Sequence, residues 1–318
     1  MCGAPVELTK DDVNQVILDV VGKIRSSHLL RCDECHLLYR WPQLNESDLA
    51  RLYGNLPDSY WSYDAFKMGS WQSASKVLRS VFDVSSPINV LDVGAFDGSF
   101  FSTLPAPWKK HAIEPSPIAV QRLAKAGIPC LGPYVEAIDM QRHRGQFDAI
   151  TLFDVFEHLP HPDSTIRLLL KLLRPGGRLL VSTGNGDHWT WRMLRSHHWY
   201  LHSAQHVCVG SESYFRRWAD RTGTTIDAIV KHPHQITGFG GRMKQSIETV
   251  HAWARLSNRR RLRGLIQRLP SFSYLIHKSG APFTTGLHDH VLVVFRQTDA
   301  IAEAPINPSE QREHAAHS

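Results

Sequence analysis

The chain of 318 residues contains no apolar run of about 18 residues, the length that a helix needs to cross a bilayer. We therefore expect no membrane span. The first residues, Met1 to Pro5, also lack the basic start and the long apolar stretch of a secretory signal. The cytosol is therefore the expected location.

Cysteine is scarce, with only five residues spread over the chain: Cys2, Cys32, Cys35, Cys130 and Cys208. An odd and sparse set in a chain of this length excludes a disulfide-based scaffold. Hydrophobic residues make up 42% of the chain and charged residues 21%, which is typical of a globular protein with a sizeable core.

The formal net charge is +6, and much of the positive excess lies in residues 255–268. This segment is most simply interpreted as a solvated basic helix face. Attraction of an anionic substrate or a nucleic acid is the alternative.

From residue 88 onward, short apolar runs alternate with helical patterns. Strands are predicted at 89–93, 111–113, 128–131, 149–153, 178–182, 225–230 and 290–296. Helices are predicted between most of them, including 164–174, which stops at Pro175-Gly176-Gly177, and 212–222, which Ser211 caps. This alternation predicts an α/β fold with a mostly parallel sheet covered on both faces.

The chain is predicted to divide into three parts. Residues 1–68 are predicted to form a small accessory domain, with an amphipathic helix at 10–25 and a hairpin around the Cys32–Cys35 pair. The main domain is predicted at 69–299, with an insertion at about 237–287. The polar tail at 300–318 is predicted to be disordered.

The turn after the first strand of the main domain carries the strongest local signal. The sequence Val90-Leu91-Asp92-Val93-Gly94-Ala95-Phe96-Asp97-Gly98 is a buried strand that ends in an acid and a glycine-bearing turn. Gly94 allows a sharp turn and a close approach to a ligand, because it has no Cβ. The alternative is a tight connection between a strand and a helix.

A second acid, Glu114, ends the next predicted strand some 20 residues after Gly94. A carboxylate at this position can accept both hydroxyls of a ribose. The alternative is an acid that caps the following helix.

Four motifs in this order resemble the class I S-adenosylmethionine-dependent methyltransferases, and in particular the ubiquinone-biosynthesis O-methyltransferase branch. They are Leu91-Asp92-Val93-Gly94, Glu114, the run from Phe147 to Leu159, and the run from Leu173 to Thr183. The resemblance covers roughly residues 70–230 and the strand at 290–296. It implies a Rossmann-like, doubly wound, seven-stranded sheet with an antiparallel last strand.

The resemblance also implies the cofactor, S-adenosylmethionine, and the residues around it: Asp92, Gly94, Ala95, Gly98, Glu114, Val135, Asp154 and Val155. Glu114 would hold the ribose, residues 134–136 would lie near the adenine, and Asp154 would lie beside the methionine portion. Phe96 departs from the family pattern, since a further glycine often stands there. It argues against a dinucleotide, whose pyrophosphate needs close backbone approach.

For the acceptor side, His158 is the candidate general base, because it lies four residues after Asp154. Alternatively, His158 buttresses the turn before Pro160. Glu157 and His158 could bind a divalent cation, but no clear third ligand is visible, so no metal site is predicted there. Residues 189–208 are rich in Trp and His and are interpreted as a lid over a planar acceptor, or else as a packed connection.

The leading hypothesis is methyl transfer to a small-molecule acceptor, most simply to oxygen. The Asn/Asp-Pro-Pro-aromatic run of base-methylating enzymes is missing, which disfavours N-methylation of nucleobases but leaves methylation of RNA ribose open. An RNA or protein substrate, or a non-catalytic binding module in which Phe96 blocks the cofactor, are the alternatives. A nucleic acid partner is not expected, and the sequence does not indicate an oligomeric state.

The pair Cys32 and Cys35 resembles half of a zinc-ribbon-like module found before some of these domains. Cys2, His28 or His36 could complete a zinc site. A small accessory unit without metal is the alternative and the preferred interpretation.

Overall fold

The computed structural model of the chain describes residues 4–6, 27–55 and 67–298. The predicted helix at 10–25 and the predicted tail at 300–318 lie outside these residues. Within the described ranges, every helix is too short or too polar to cross a bilayer.

Ten strands and nine α-helices are described. The strands are β1 (Ala4–Val6), β2 (Ser27–Arg31), β3 (Leu38–Trp41), β4 (Asn89–Val93), β5 (Lys109–Ile113), β6 (Phe147–Phe153), β7 (Leu173–Gly184), β8 (Cys208–Val209), β9 (Thr225–His232) and β10 (His290–Arg296). The helices are α1 (Glu46–Asn55), α2 (Gly69–Val81), α3 (Pro117–Lys125), α4 (Met140–His143), α5 (Pro162–Leu172), α6 (Trp189–Leu194), α7 (Glu212–Thr222), α8 (Phe239–Leu256) and α9 (Arg260–Gln267).

The central sheet has the strand order β5-β4-β6-β7-β10-β9. Strands β4 to β7 run parallel, whereas β10 is antiparallel to both of its neighbours. This confirms the Rossmann-like sheet and its antiparallel last strand. The fully buried, apolar β6 is typical of a central parallel strand.

The predicted strand at 128–131 is reduced to one parallel bridge between Ala112 and Cys130 beside β5. Pro129 accepts the N–H of Ala112 at 2.9 Å but has no N–H of its own to continue a ladder. The sheet therefore has six strands and an edge bridge rather than seven full strands.

Helices cover both faces of the sheet, as a doubly wound fold requires. On one face Ile166 and Leu169 of α5 and Trp218 of α7 join the core. On the other face Trp71 and Leu78 of α2 pack with the buried Phe100. The two cores fix the sheet between them.

The predicted helix bounds hold in part. Helix α7 has the predicted bounds, and its cap Ser211 accepts the N–H of Tyr214 at 3.0 Å. Helix α5 begins two residues before the predicted start, with Pro162 in its first turn, and ends at Leu172. The segment Pro175-Gly176-Gly177 therefore lies in the beginning of β7 and does not stop the helix, because the chain is already extended at Leu173.

The N-terminal hairpin β2–β3 forms a separate sheet of order β1-β2-β3-β8. Its strand β3 pairs with β8, which belongs to the segment after β7. The buried Arg40 of β3 donates to the carbonyl oxygens of Leu201 at 2.6 Å and Ser203 at 3.1 Å. The division into an accessory domain and a main domain near residue 68 stays a prediction.

Candidate active site

The turn after β4 touches the end of β6. Gly94 has φ +71°, and a Cβ on it would lie 2.4 Å from Cγ2 of Val155. The N–H of Gly94 donates to the carbonyl oxygen of Ile113, the last residue of β5, at 2.9 Å. An L side chain would be strained at this φ, and its Cβ would collide with Val155. Glycine therefore lets the ends of β4, β5 and β6 approach one another closely.

Glu114 binds the same turn from the end of β5. Its Oε2 accepts the N–H of Phe96 and its Oε1 accepts the N–H of Ser116, both at 2.8 Å. Burial raises the pKa of Glu114, and the two N–H donors partly oppose this shift. Each carboxylate oxygen retains a lone pair that can accept a hydroxyl.

Phe96 has φ 47°, in the left-handed region where the family often has glycine. The Arg122 guanidinium of α3 lies 5.7 Å from the centre of its ring. This cation–π contact holds the ring against α3.

The other predicted cofactor residues of the first turn lie close by. Asp92 is buried and accepts the hydroxyl of Thr151 at 2.7 Å, and burial raises its pKa to about 7. Ala95 is buried, and Gly98 has φ +78°. Val135 is buried at the start of a short 3-10 turn. The roles of these residues toward the cofactor stay predictions.

Asp154 follows β6 directly and has φ 52°, a strained backbone conformation for a residue other than glycine. Its N–H donates to the carbonyl oxygen of Ser182 in β7 at 3.1 Å. Its Oδ2 lies 3.9 Å from Nδ1 of His234, which follows β9. Asp154 thus lies where the parallel strands end, at the same side of the sheet as Gly94 and Glu114. We call this side, formed by the carboxyl ends of β4 to β7, the sheet edge.

The first residue of β10, His290, lies in the same cluster as Asp154 and His234. Its Nδ1 and Oδ1 of the buried Asp289 are 2.9 Å apart. Asp289 also accepts the hydroxyl of Thr284 at 2.6 Å and the indole N–H of Trp199 at 3.3 Å, both at Oδ2. Burial opposes a charged His290, but Asp289 outweighs it, so the pKa of His290 is raised.

A second cluster contains Glu157, His158 and His206. Glu157 accepts the hydroxyls of Tyr200 at 2.5 Å and Thr183 at 3.0 Å. His158 lies in a short 3-10 turn, and its Nδ1 is 3.2 Å from the carbonyl oxygen of Gln205. Burial lowers the pKa of His158 to about 4, so its imidazole is neutral near pH 7 and is a weak proton acceptor. The role of His158 as general base stays a prediction.

The aromatic segment at 189–208 is largely buried. Trp191 stacks on His198 with ring centroids 4.0 Å apart, and Tyr200 is buried beside them. Trp199 is different, since it is only half-buried and lies 5.9 Å from His234 and 5.7 Å from Phe283, ring to ring. Most of the segment is therefore a packed connection, whereas Trp199 contacts Phe283 and the His234 that neighbours Asp154.

The structure thus brings the predicted Gly94, Glu114, Asp154 and Val155 to one edge of the sheet. Sequence reasoning missed the histidines of that edge, His234 and His290. A signal was present, because the first residue of an antiparallel strand lies where its parallel neighbours end. His290 pairs with Gly184, the last residue of β7.

Cys32 and Cys35 lie in the turn of the β2–β3 hairpin, where the N–H of Cys35 points to Sγ of Cys32 at 3.5 Å. In the part of the chain that the structure describes, no third ligand joins this pair in a metal-binding group. Cys2 lies outside that part. A zinc site here stays a prediction.

The parallel sheet with an antiparallel last strand, and the glycine turn and two acids at the ends of its strands, form the arrangement that the resemblance to the class I S-adenosylmethionine-dependent methyltransferases implies. Residues 69–229, just over half of the chain, match the family model described as a methyltransferase domain. The chain therefore belongs to this methyltransferase family.

Ubiquinone biosynthesis O-methyltransferases of two bacteria are similar to parts of the chain. A ubiquinone biosynthesis O-methyltransferase of Sodalis glossinidius is 30% identical over 158 residues, which cover 48% of this chain and 57% of that protein. The Escherichia coli protein of the same name is 38% identical over 52 residues, or 16% of this chain and 22% of that protein. The chain thus spans less than two thirds of these relatives.

Solved structures are more distant. A 1,6-didemethyltoxoflavin methyltransferase of Burkholderia thailandensis is 15% identical with a TM-score of 0.49, covering 86% of this chain and 96% of that one. The N-methyltransferase NodS of Bradyrhizobium japonicum is 16% identical with a TM-score of 0.42, covering 72% and 97%.

Proposed function

We propose that the chain binds S-adenosylmethionine at the sheet edge formed by Gly94, Glu114 and Asp154, and methylates an oxygen of a small planar acceptor. The observation that carries this proposal is the convergence of three loops: Gly94 lies against Val155, and Glu114 accepts the N–H of Phe96.

The residues of this edge fit the cofactor chemically. Both oxygens of Glu114 already accept one N–H each and keep lone pairs for two ribose hydroxyls. The acidic groups of Asp92, Glu114 and Asp154 suit a cationic ligand, whose charge in turn favours their ionised form. When bound, S-adenosylmethionine supplies an electrophilic methyl group on a positively charged sulfur. It carries no phosphate, so Phe96 at the turn is compatible with it.

Two observations support a small planar acceptor. The half-buried Trp199 lies 5.7 Å from Phe283, which is 59% exposed, and 5.9 Å from His234, which neighbours Asp154. Such a pair of rings can stack on an aromatic acceptor. The curated relatives are named as O-methyltransferases, which supports oxygen as the atom methylated.

Calorimetric titration of the full chain with S-adenosylmethionine tests the cofactor site. We expect Glu114→Ala to weaken binding by about 1–3 kcal/mol, through the loss of hydrogen bonds to a charged group. Asp227→Ala is the matched control, because Asp227 pairs with Arg178 and Arg296 at the opposite edge of the sheet. Absence of both binding heat and thermal stabilisation in the unaltered chain would favour a non-catalytic binding module.

An RNA substrate is the rival proposal, and the exposed arginines of the basic segment favour it: Arg259, Arg260, Arg261 and Arg268. Binding to RNA through these groups should fall steeply as salt is added. Methyl transfer to hydroxylated aromatic compounds that is insensitive to salt supports the small-molecule acceptor. Transfer to RNA alone contradicts it.

A further inference from the structure

We infer that Asp154, His234 and His290 form a binding site for a divalent transition-metal ion on the acceptor side of the sheet edge. Binding of the ion is independent of the proposed function. Only the role of the ion, to hold an acceptor oxygen, rests on that function.

The spacing of the three side chains suits a single ion. One ligand atom from each residue lies within 4.8 Å of the others, and Nδ1 of His234 is 3.9 Å from Oδ2 of Asp154. Metal–ligand bonds near 2.1 Å place two ligands of one ion about 3.4 Å apart at a tetrahedral angle. The Asp154–His234 distance therefore needs to shorten by about 0.5 Å, and the other two pairs by at most about 1.4 Å.

Two polar atoms of the cluster have no hydrogen-bond partner among the described residues although both are buried. They are Oδ1 of Asp154 and Nε2 of His290, and the His290 side chain is only 1% exposed. A buried polar atom without a partner is destabilising, because it has lost its hydrogen bonds to water. A bound cation satisfies a carboxylate oxygen and an imidazole nitrogen at once.

Asp289 supplies the outer partner that a metal-binding histidine usually has. A ligating imidazole almost always donates its other N–H to a carboxylate or a carbonyl. Nδ1 of His290 lies 2.9 Å from Asp289, which Thr284 and Trp199 hold in turn. With the Nδ1 proton shared with Asp289, a bound ion takes the place of a second proton on Nε2.

The neighbouring cluster of Glu157, His158 and His206 lacks these features. Both oxygens of Glu157 accept hydroxyls, and Nδ1 of His206 is 2.6 Å from the carbonyl oxygen of Tyr200. Internal hydrogen bonds therefore account for that cluster without an ion.

Two imidazoles and one carboxylate favour a borderline ion such as Zn²⁺, Fe²⁺ or Co²⁺ over Mg²⁺ or Ca²⁺. Three protein ligands leave at least one position open, as in catalytic rather than structural sites. The ring of Trp199 lies 6.3 Å from that of His290, so a stacked acceptor can present its oxygen to the ion. An ion held by these residues would lower the pKa of an acceptor hydroxyl, and the released proton would pass to solvent or to a neighbouring base.

The test uses the full chain after treatment with a chelator. Calorimetric titration with ZnCl₂ and the absorption spectrum with CoCl₂ should both show one ion per chain. We expect His290→Gln and His234→Gln to weaken binding at least tenfold, and Asp289→Asn to weaken it about 10–100-fold. The exposed His288, two residues before His290, provides the control His288→Gln, which should bind the ion as the unaltered chain does.

Three outcomes would overturn the inference. The first is that no ion binds, and the second is that His290→Gln and His234→Gln both bind it unchanged. The third is that the ion is lost in His206→Gln or in Cys32→Ser but retained in both of those variants. Thermal unfolding of each variant without metal shows whether it folds, and His234→Gln, at the less buried ligand, remains informative if His290→Gln does not. S-adenosylmethionine titrated into the metal-free chain separates the two proposals. Cofactor binding without any metal site contradicts only the inference, and metal binding without cofactor binding contradicts only the proposed function.

Discussion

Replacing Gly94 by alanine tests how closely the turn after β4 approaches the end of β6. Gly94 has φ +71°, where an L residue costs about 1–2 kcal/mol. The new Cβ would also lie 2.4 Å from Cγ2 of Val155, and overpacking of this kind costs about 1–3 kcal/mol. We expect Gly94→Ala to lower the free energy of unfolding by about 2–5 kcal/mol.

The chain offers a matched control that separates the two costs. Gly127 has φ +70°, but a Cβ there would meet nothing within 4 Å. Gly127→Ala should therefore cost only the backbone strain, about 1–2 kcal/mol. In a Val155→Ala background, Gly94→Ala should also cost only about 1–2 kcal/mol, since the contact has been removed.

Urea denaturation of the four chains of the cycle and of Gly127→Ala measures these differences. The reasoning is refuted if Gly94→Ala costs no more than Gly127→Ala, or if its cost is the same with Val155 and with alanine at that position. Titration with S-adenosylmethionine on the same samples shows whether the turn also sets cofactor affinity. We expect Gly94→Ala to weaken it even where Val155→Ala restores stability.

Three further predictions concern His158, His198 and Arg40. His158→Gln should lower turnover and leave cofactor affinity unchanged, as measured by initial rates and titration; full turnover would exclude His158 as the base. Burial lowers the pKa of His198 from 6.5 to about 3, so the stability it contributes is complete above pH 6.5 and is lost as pH falls toward 3. Measured by urea denaturation between pH 7 and pH 4, the free energy of unfolding should fall by up to about 1.4 kcal/mol per pH unit because of this group. In His198→Gln the free energy of unfolding should fall less steeply with pH; an equal dependence in both chains would contradict this. Arg40→Met should cost about 2 kcal/mol, because the carbonyl oxygens of Leu201 and Ser203 lose a charged donor, and limited proteolysis should then cut the hairpin faster; unchanged resistance would mean that these bonds do not dock it.

The main sheet could be predicted from the sequence because its signals are local. The bounds predicted for β4 and β10 match the structure, and Gly94 and Glu114 are recognised by their positions at strand ends. The edge strand at 128–131 was wrong in extent, because Pro129 limits pairing. His290 could have been placed at the sheet edge too, as the first residue of the predicted antiparallel strand. His234 could not, because it follows β9 in a loop and reaches Asp154 only through the pairing of β9 with β10.

The pairing of β3 with β8 makes the N-terminal hairpin a neighbour of the segment that carries Tyr200, which in turn holds Glu157. Cutting the chain after this hairpin would uncover the edge of β8 and strip two backbone oxygens of their guanidinium. Removing the hairpin would therefore disturb the support of the segment that holds Glu157 without touching the turn that carries Gly94.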